Sequence, residues 1–219
     1  EVSLAHNGVL FLDEFPEYSK NALETLRQPL EDRQISISRA RYNVTLPCSF
    51  MLVAAMNPCP CGYYNDPHHP CTCRPGQVQR YMSRISGPLL DRIDLQVEVV
   101  PVSVRELSSA PAGESSAAIR ARVVAARRRQ AARFADCPGV HCNAQMAARH
   151  IKAFVHLDES AHAALEQALD RLGLSARAYE RVLKVSLTLA DLDGVDQITR
   201  THIAEAISYR NLDRASWGE

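Results

Sequence analysis

His6-Asn7-Gly8-Val9-Leu10-Phe11-Leu12-Asp13-Glu14 is the stretch on which the reading of this chain turns. An apolar run, Val9 to Leu12, leads straight into two acids. Such a run is expected as a strand buried on both faces, as in a parallel sheet under helices. In open α/β sheets ligands sit at the carboxyl edge, where this strand would deliver Asp13 and Glu14. The order is that of a Walker B strand. The first acid would hold Mg2+, directly or through water, and the second would orient and polarise an attacking water. Alone, the stretch also reads as a buried strand ending in two solvated acids.

Working outward, Phe50 to Ala55 reads as a second buried strand that ends near Asn57. If the two strands are neighbours, a neutral amide lies beside Glu14, which is the sensor-1 arrangement. An Asn after a strand is otherwise a common turn residue. Ser19 to about Asp32 reads as a helix capped by Ser19, with Leu23, Leu26 and Leu30 on one face and Pro29 ending or kinking it. Gln34 to Leu46 alternates like a hairpin, with Arg39-Ala40-Arg41-Tyr42 at its tip. Gln77 to Ser83 reads as a short helix broken by Gly87-Pro88, and Leu95 to Val100 as a third strand.

Beyond Pro101 the character changes. Ser108 to Ser116 is rich in Ser, Ala, Pro and Gly and reads as a linker. Helical patterns follow at Ile119–Phe134, Ala144–Ala153, Ser160–Leu172, Ala176–Leu189 and Thr199–Tyr209. Ser175 is placed to cap the fourth, and Gly173 to end the third. The expected division is a strand-bearing domain over 1–102 with an insertion at 58–75, a linker over 103–116 and an all-helical domain over 117–219.

The 219 residues are 46% apolar and 23% charged, ordinary for a soluble globular chain. Lys plus Arg equals Asp plus Glu at 25 each, so net charge carries no argument about nucleic acid. No apolar run approaches membrane-spanning length and no opening reads as a signal peptide, so no membrane partner is expected. Seven cysteines are present, four of them as Cys59-x-Cys61 and Cys71-x-Cys73. This bunching points to a reducing, cytoplasmic compartment and a tetrahedral structural zinc site. His68 or His69 would be able to replace a cysteine, and disulfides or unliganded thiols are the competing readings.

With Asn57-Pro58-Cys59-Pro60-Cys61-Gly62, Gly87-Pro88-Leu89-Leu90-Asp91-Arg92-Ile93-Asp94-Leu95, Ser175-Ala176-Arg177-Ala178-Tyr179 and Ala190-Asp191-Leu192 added, the chain resembles the magnesium-chelatase-like branch of the AAA+ ATPases. Within it the resemblance is strongest to the ComM/YifB type. That implies the second half of a P-loop NTPase-type parallel core followed by a helical lid. It implies a hexameric ring using ATP and Mg2+ as a motor on single-stranded or branched DNA, of helicase or branch-migration type, linked to DNA uptake and recombination. The chelatase branch offers protein remodelling or metal insertion as the alternative, and a zinc-stabilised interaction module is the minimal reading. None of the nine glycines sits in G-x-x-x-x-G-K-[ST], so the expectation is a fragment that begins after the Walker A helix and is inactive alone.

The resemblance also assigns arginines. Arg92 takes the place of the arginine finger, with Arg84 as second candidate. Arg177 takes that of sensor 2, with Arg181 competing. The hairpin matches the pre-sensor-1 hairpin of related helicases, so Arg39 and Arg41 would meet phosphates and Tyr42 would stack on a base. Arg120, Arg122, Arg127, Arg128, Arg129 and Arg133 crowd one expected helix, which reads first as a solvated lid helix and second as a DNA-binding face.

Overall fold

The computed structural model describes residues 1–39, 42–99, 102, 108, 113–172 and 175–210, with the backbone alone at 171 and 172. These residues fall into two compact units, one within Glu1–Ile93 and one within Asp94–Asn211. No described helix is long and apolar enough to cross a membrane.

In the first unit β1 (Val9–Leu12) pairs in parallel with β4 (Met51–Ala54), Val9 opposite Met51 and Leu12 opposite Ala54. Between them come a 3-10 turn (Phe15–Glu17), α1 (Lys20–Thr25), α2 (Arg27–Asp32) and a hairpin of β2 (Gln34–Arg39) and β3 (Tyr42–Pro47). α3 (Gln77–Met82) and α4 (Gly87–Leu90) follow. Phe15, Leu23, Leu26, Ile85, Leu89 and Leu90 form the core, and Leu10 and Leu12 pack against it from β1.

The expectation of a strand buried on both faces is corrected here. Val9, Phe11 and Met51 are 54%, 58% and 59% exposed. The parallel sheet has two strands among the described residues, and no described element lies over that face. The strand start is pinned by His6-Asn7-Gly8. The Ser49 N–H donates to His6 Nδ1 at 3.0 Å, and the Asn7 N–H donates to the Ser49 carbonyl at 2.6 Å. Asn7 takes a left-handed conformation (φ 59°). A Cβ at Gly8 would stand 3.3 Å from the Ala5 carbonyl oxygen, which favours glycine there.

Three other expectations shift. The helix over 19–32 divides at Leu26, upstream of Pro29 rather than at it. Proline has no N–H for the carbonyl four residues back, here that of Thr25, so the ladder is interrupted before the ring. Gly87-Pro88 opens α4 instead of only ending its predecessor. Ser86 caps this helix, its Oγ accepting from the Leu89 N–H at 3.3 Å, and Pro88 lies in the first turn where no N–H is needed. Residues 95–99 form no strand, and Val100 lies outside the described residues. The Gln96 N–H donates to the Tyr209 carbonyl at 2.8 Å instead of to a ladder.

The second unit is helical: α5 (Ser116–Arg133), α6 (Ala148–Phe154), α7 (Glu159–Leu172), α8 (Ala176–Asp193) and α9 (Arg200–Ser208). Ser115 and Ser175 cap α5 and α8 by accepting from Ala118 and Ala178. Gly173 and most of the expected linker lie outside the described residues. α8 is central. Val182, Leu183, Leu187 and Ala190 share one buried face and meet Leu165, Ile198 and Ile203.

Beside this apolar face lies a polar knot. Asp191, 1% exposed, accepts from Arg133 Nη1 and Nη2 at 2.8 and 2.5 Å and from Asn143 Nδ2 at 2.9 Å. Asn143, also buried, accepts from Arg133 and donates to Thr188. The knot ties α5 to α8, and it explains why several arginines of α5 are not a free basic face. Arg127, Arg129 and Arg133 have partners within the unit, and Arg122 grips Glu114. Removing one partner of a buried ion pair strands the other, so Asp191→Ala is expected to cost about 3–5 kcal/mol of stability. Arg122→Ala, at a half-exposed pair, is expected to cost no more than about 1 kcal/mol. Urea unfolding followed by helical circular dichroism measures both, and equal midpoints for the two variants would contradict this reading.

Candidate functional site

The carboxyl edge of the β1–β4 pair is held by two backbone bonds. The Ala55 N–H donates to the Leu12 carbonyl at 2.9 Å, and the Phe15 N–H donates to the Ala55 carbonyl at 3.0 Å. Asp13 and Glu14 lie between these anchors and are exposed. Phe15 and Pro16 are buried directly after them, so the acids ride on a fixed base. Glu14 sits in the left-handed region at φ 49°, ψ 44°. For a residue of this kind that costs on the order of 1 kcal/mol or more, and such strain clusters at functional sites. Its N–H donates to Asp13 Oδ1 at 2.8 Å, which leaves Oδ2 without a partner among the described residues. One exposed carboxylate oxygen suits Mg2+, which takes few protein ligands beside phosphates and water. Asn57, exposed, is two residues past Ala55 at the same edge. The acids and the amide expected together from the sequence therefore share one edge.

The two finger candidates of this unit, Arg84 and Arg92, are both paired within it. Arg84 Nη1 donates to Glu17 Oε2 at 2.7 Å and to the Pro16 carbonyl at 3.2 Å, so it clasps the turn after Glu14. Arg92 pairs with Glu31 and donates to the Pro88 carbonyl at 2.6 Å. Its side chain is 8% exposed, and its Nε is buried with no acceptor among the described residues. It lines a shallow groove with Glu24, Arg27, Gln28, Glu31 and Asp32. Of the two helical-unit arginines, Arg177 is exposed in the first turn of α8, and Arg181 pairs with Asp94.

The four cysteines converge. Cys59 and Cys61 Sγ are 3.3 Å apart, Cys59 and Cys71 3.8 Å, and Cys61 and Cys71 3.5 Å. All four ligand atoms, Cys73 included, lie within 4.8 Å of one another. A tetrahedral zinc with Zn–S near 2.3 Å sets its sulfurs about 3.8 Å apart. A disulfide needs about 2.05 Å, and all seven cysteines are free. The donor set thus fits a divalent, thiolate-seeking ion. Backbone hydrogen bonding at Tyr63, followed by that at Thr72, draws the Cys61 thiol down to about 5, whereas burial and the neighbouring thiols push Cys73 up to about 12. His68 and His69 stand outside the cluster, correcting their reading as substitute ligands. The N–H groups of His68 and His69 donate to Asp66 Oδ1 at 2.7 and 2.9 Å and hold its carboxyl below the usual range. The His69 ring lies 5.1 Å from Tyr63.

The hairpin pairs Arg39 with Tyr42, and Ala40 and Arg41 lie outside the described residues. Strand alternation gives it two faces. Ile35, Ile37, Arg39, Tyr42, Val44 and Leu46 share one, while Ser36–Thr45 and Ser38–Asn43 make hydroxyl and amide rungs at 3.1 and 2.6 Å on the other. Tyr42 is 59% exposed.

A parallel pair carrying exposed acids at its carboxyl edge, with a helical unit after it, defines a mixed α/β protein consistent with part of an AAA+-like fold. Residues 1–107 match the family model described as magnesium chelatase, subunit ChlI, and residues 113–210 match that of its C-terminal part. The chain belongs to this magnesium chelatase family. It is 48% identical over 216 residues to the uncharacterized protein YifB of Escherichia coli and 46% identical over 215 residues to competence protein ComM of Haemophilus influenzae. An uncharacterized Mycobacterium tuberculosis protein is 41% identical over 209 residues. These alignments cover 98%, 98% and 95% of the chain, and the chain spans 41% of the length of each relative.

Sequence reasoning missed Glu31 and Asp66 as parts of this region. Only Asp66 carried a signal, since an Asp before two histidines and a proline suits a turn that accepts backbone N–H groups. Co2+ titration is expected to show one tetrahedral thiolate-bound ion per chain, absent after a Cys59→Ser, Cys73→Ser double substitution. A wild-type spectrum without thiolate charge-transfer bands would contradict the fit.

Proposed function

We propose that this chain supplies the hydrolytic edge and the lid of an ATP-driven AAA+ motor that works on DNA as a ring of identical subunits. The observation that carries the reading is the parallel register of β1 and β4, which sets Asp13, Glu14 and Asn57 along one edge. Arg39 and Tyr42, exposed on the last described rung of the hairpin between those strands, and a competence protein among the relatives, support DNA as the partner.

Bound ATP with Mg2+ would supply the phosphoryl group. Asp13 offers the metal-holding oxygen, Glu14 orients and polarises water, and Asn57 adds a polar contact without charge. The Arg92 Nε, buried with no acceptor among the described residues, supports Arg92 as the finger that meets a neighbour's phosphate. Reaching out would require Arg92 to leave Glu31. The place of Arg177 in the first turn of the Ser175-capped α8 supports it as the lid's phosphate sensor. The four cysteines would hold structural zinc, since a four-thiolate set leaves no open position for catalysis.

A protein carrying a phosphate-binding loop upstream of this chain is the material for the test. ATP hydrolysis is expected to rise with branched DNA and to fall by about 100-fold or more with Glu14→Gln. An Arg39→Ala, Tyr42→Ala pair is expected to weaken DNA stimulation while sparing the basal rate. Hydrolysis indifferent to DNA would move the chain to the protein-remodelling class.

A further inference from the structure

Three features that the proposed reading treats separately meet on one short helix. α3 starts at Gln77, shortly after Cys73. The joint between them is stiff. Gly76 turns at φ 74°, the Gln77 N–H donates to the Arg74 carbonyl at 2.9 Å, and the Arg74 N–H donates back to Gln77 Oε1 at 3.1 Å. Near the far end of α3, the Tyr81 phenol is buried, 6% of its surface exposed. Burial first, and then the Glu17 carboxylate, keep that hydroxyl protonated. The Arg84 guanidinium lies 6.0 Å from the centre of the Tyr81 ring and reaches Glu17 and the Pro16 carbonyl. The Glu17 N–H in turn donates to the Glu14 carbonyl at 2.7 Å. On the other side of Asn57, two residues on, Cys59 is wholly buried.

We propose that the four-cysteine loop sets Asn57 through Cys59 and Glu14 through α3, with Arg84 as the positioning residue, so that a metal in the loop is needed for the acidic edge to keep its shape. This deepens the reading above and rests on both its metal and its hydrolytic parts. The physical ground is that α3, at six residues, has no stability of its own and takes its place from what flanks it. Glu14 is in a strained conformation, which persists only while its surroundings over-determine it. Without a cation, crowded thiols no longer fix the loop, and α3 loses one of its two anchors. The slack reaches Asn57 through Cys59, two residues on, and Glu14 through Arg84 and the 3-10 turn. Arg84 thereby acquires a role within its own subunit.

Backbone hydrogen exchange on the purified chain tests this without relying on catalysis. Zinc-loaded chain is compared with chain stripped by a chelator, watching the bonded amides of Phe15, Glu17 and Ala55, with α8 as internal reference. Stripping is expected to speed those amides by about tenfold or more while α8 is unchanged. Arg84→Gln is expected to do the same with one zinc per chain retained, and Arg84→Lys to recover part of the protection. Zinc uptake with unchanged exchange in the stripped chain, or in Arg84→Gln, would overturn the proposal and leave the metal site standing. A chain that takes up no zinc would overturn both.

Discussion

The parallel pairing of β1 with β4 is the constraint on which the site depends. Leu10 and Leu12 must face the core formed by Phe15, Leu23 and Leu89, and that requirement fixes which way each side chain of β1 points. A slip of one residue would turn those leucines outward and move Asn57 along the edge by about 3.3 Å relative to Glu14. Burial of two leucines is therefore what sets the distance between Glu14, the proposed catalytic acid, and its polar neighbour Asn57. The His6-Asn7-Gly8 turn reinforces the register from the other end, since His6 and Asn7 both bond to Ser49 just ahead of β4.

Histidine nitrogens serve the backbone repeatedly. His6, His150 and His202 each accept a backbone N–H on Nδ1, from Ser49, Ala147 and Thr199. At His202 this leaves the proton on Nε2, which donates to Asp193 at 3.1 Å. Two of the three sit in the first turn of a helix, where unpaired N–H groups need acceptors. These histidines are structural, as the absence of any metal or catalytic spacing among them suggests.

The sequence made some of this legible and hid the rest for physical reasons. Helices of the second unit follow apolar periodicity and serine caps, and those are local, so Ser175 and the start of α8 could be read directly. β1 and β4 were readable as strands, but their one-sided exposure was not, because a run such as Val9–Leu12 is apolar on both faces. The missing strand at 95–99 shows the same limit: β-branched residues permit extended backbone, yet only a partner makes a ladder, and Gln96 finds Tyr209 instead. At the site, Asp13, Glu14, Asn57 and the cysteines carried their chemistry in residue type and spacing. Glu31 did not, since its role comes from a contact with Arg92, far along the chain. Asp191, met in the sequence only as part of Ala190-Asp191-Leu192, is the acceptor at the heart of the helical unit.

The central claim is that Glu14 and Asn57 act on one reacting centre because the strand pairing makes them neighbours. A double-mutant cycle of Glu14→Gln and Asn57→Ala on ATP turnover, in a protein that includes the phosphate-binding loop, tests it most directly. Residues that act as a unit are strongly non-additive, so the double variant is predicted to be no slower than Glu14→Gln alone. Losses that multiply would mean that the two residues work independently, and would contradict the account.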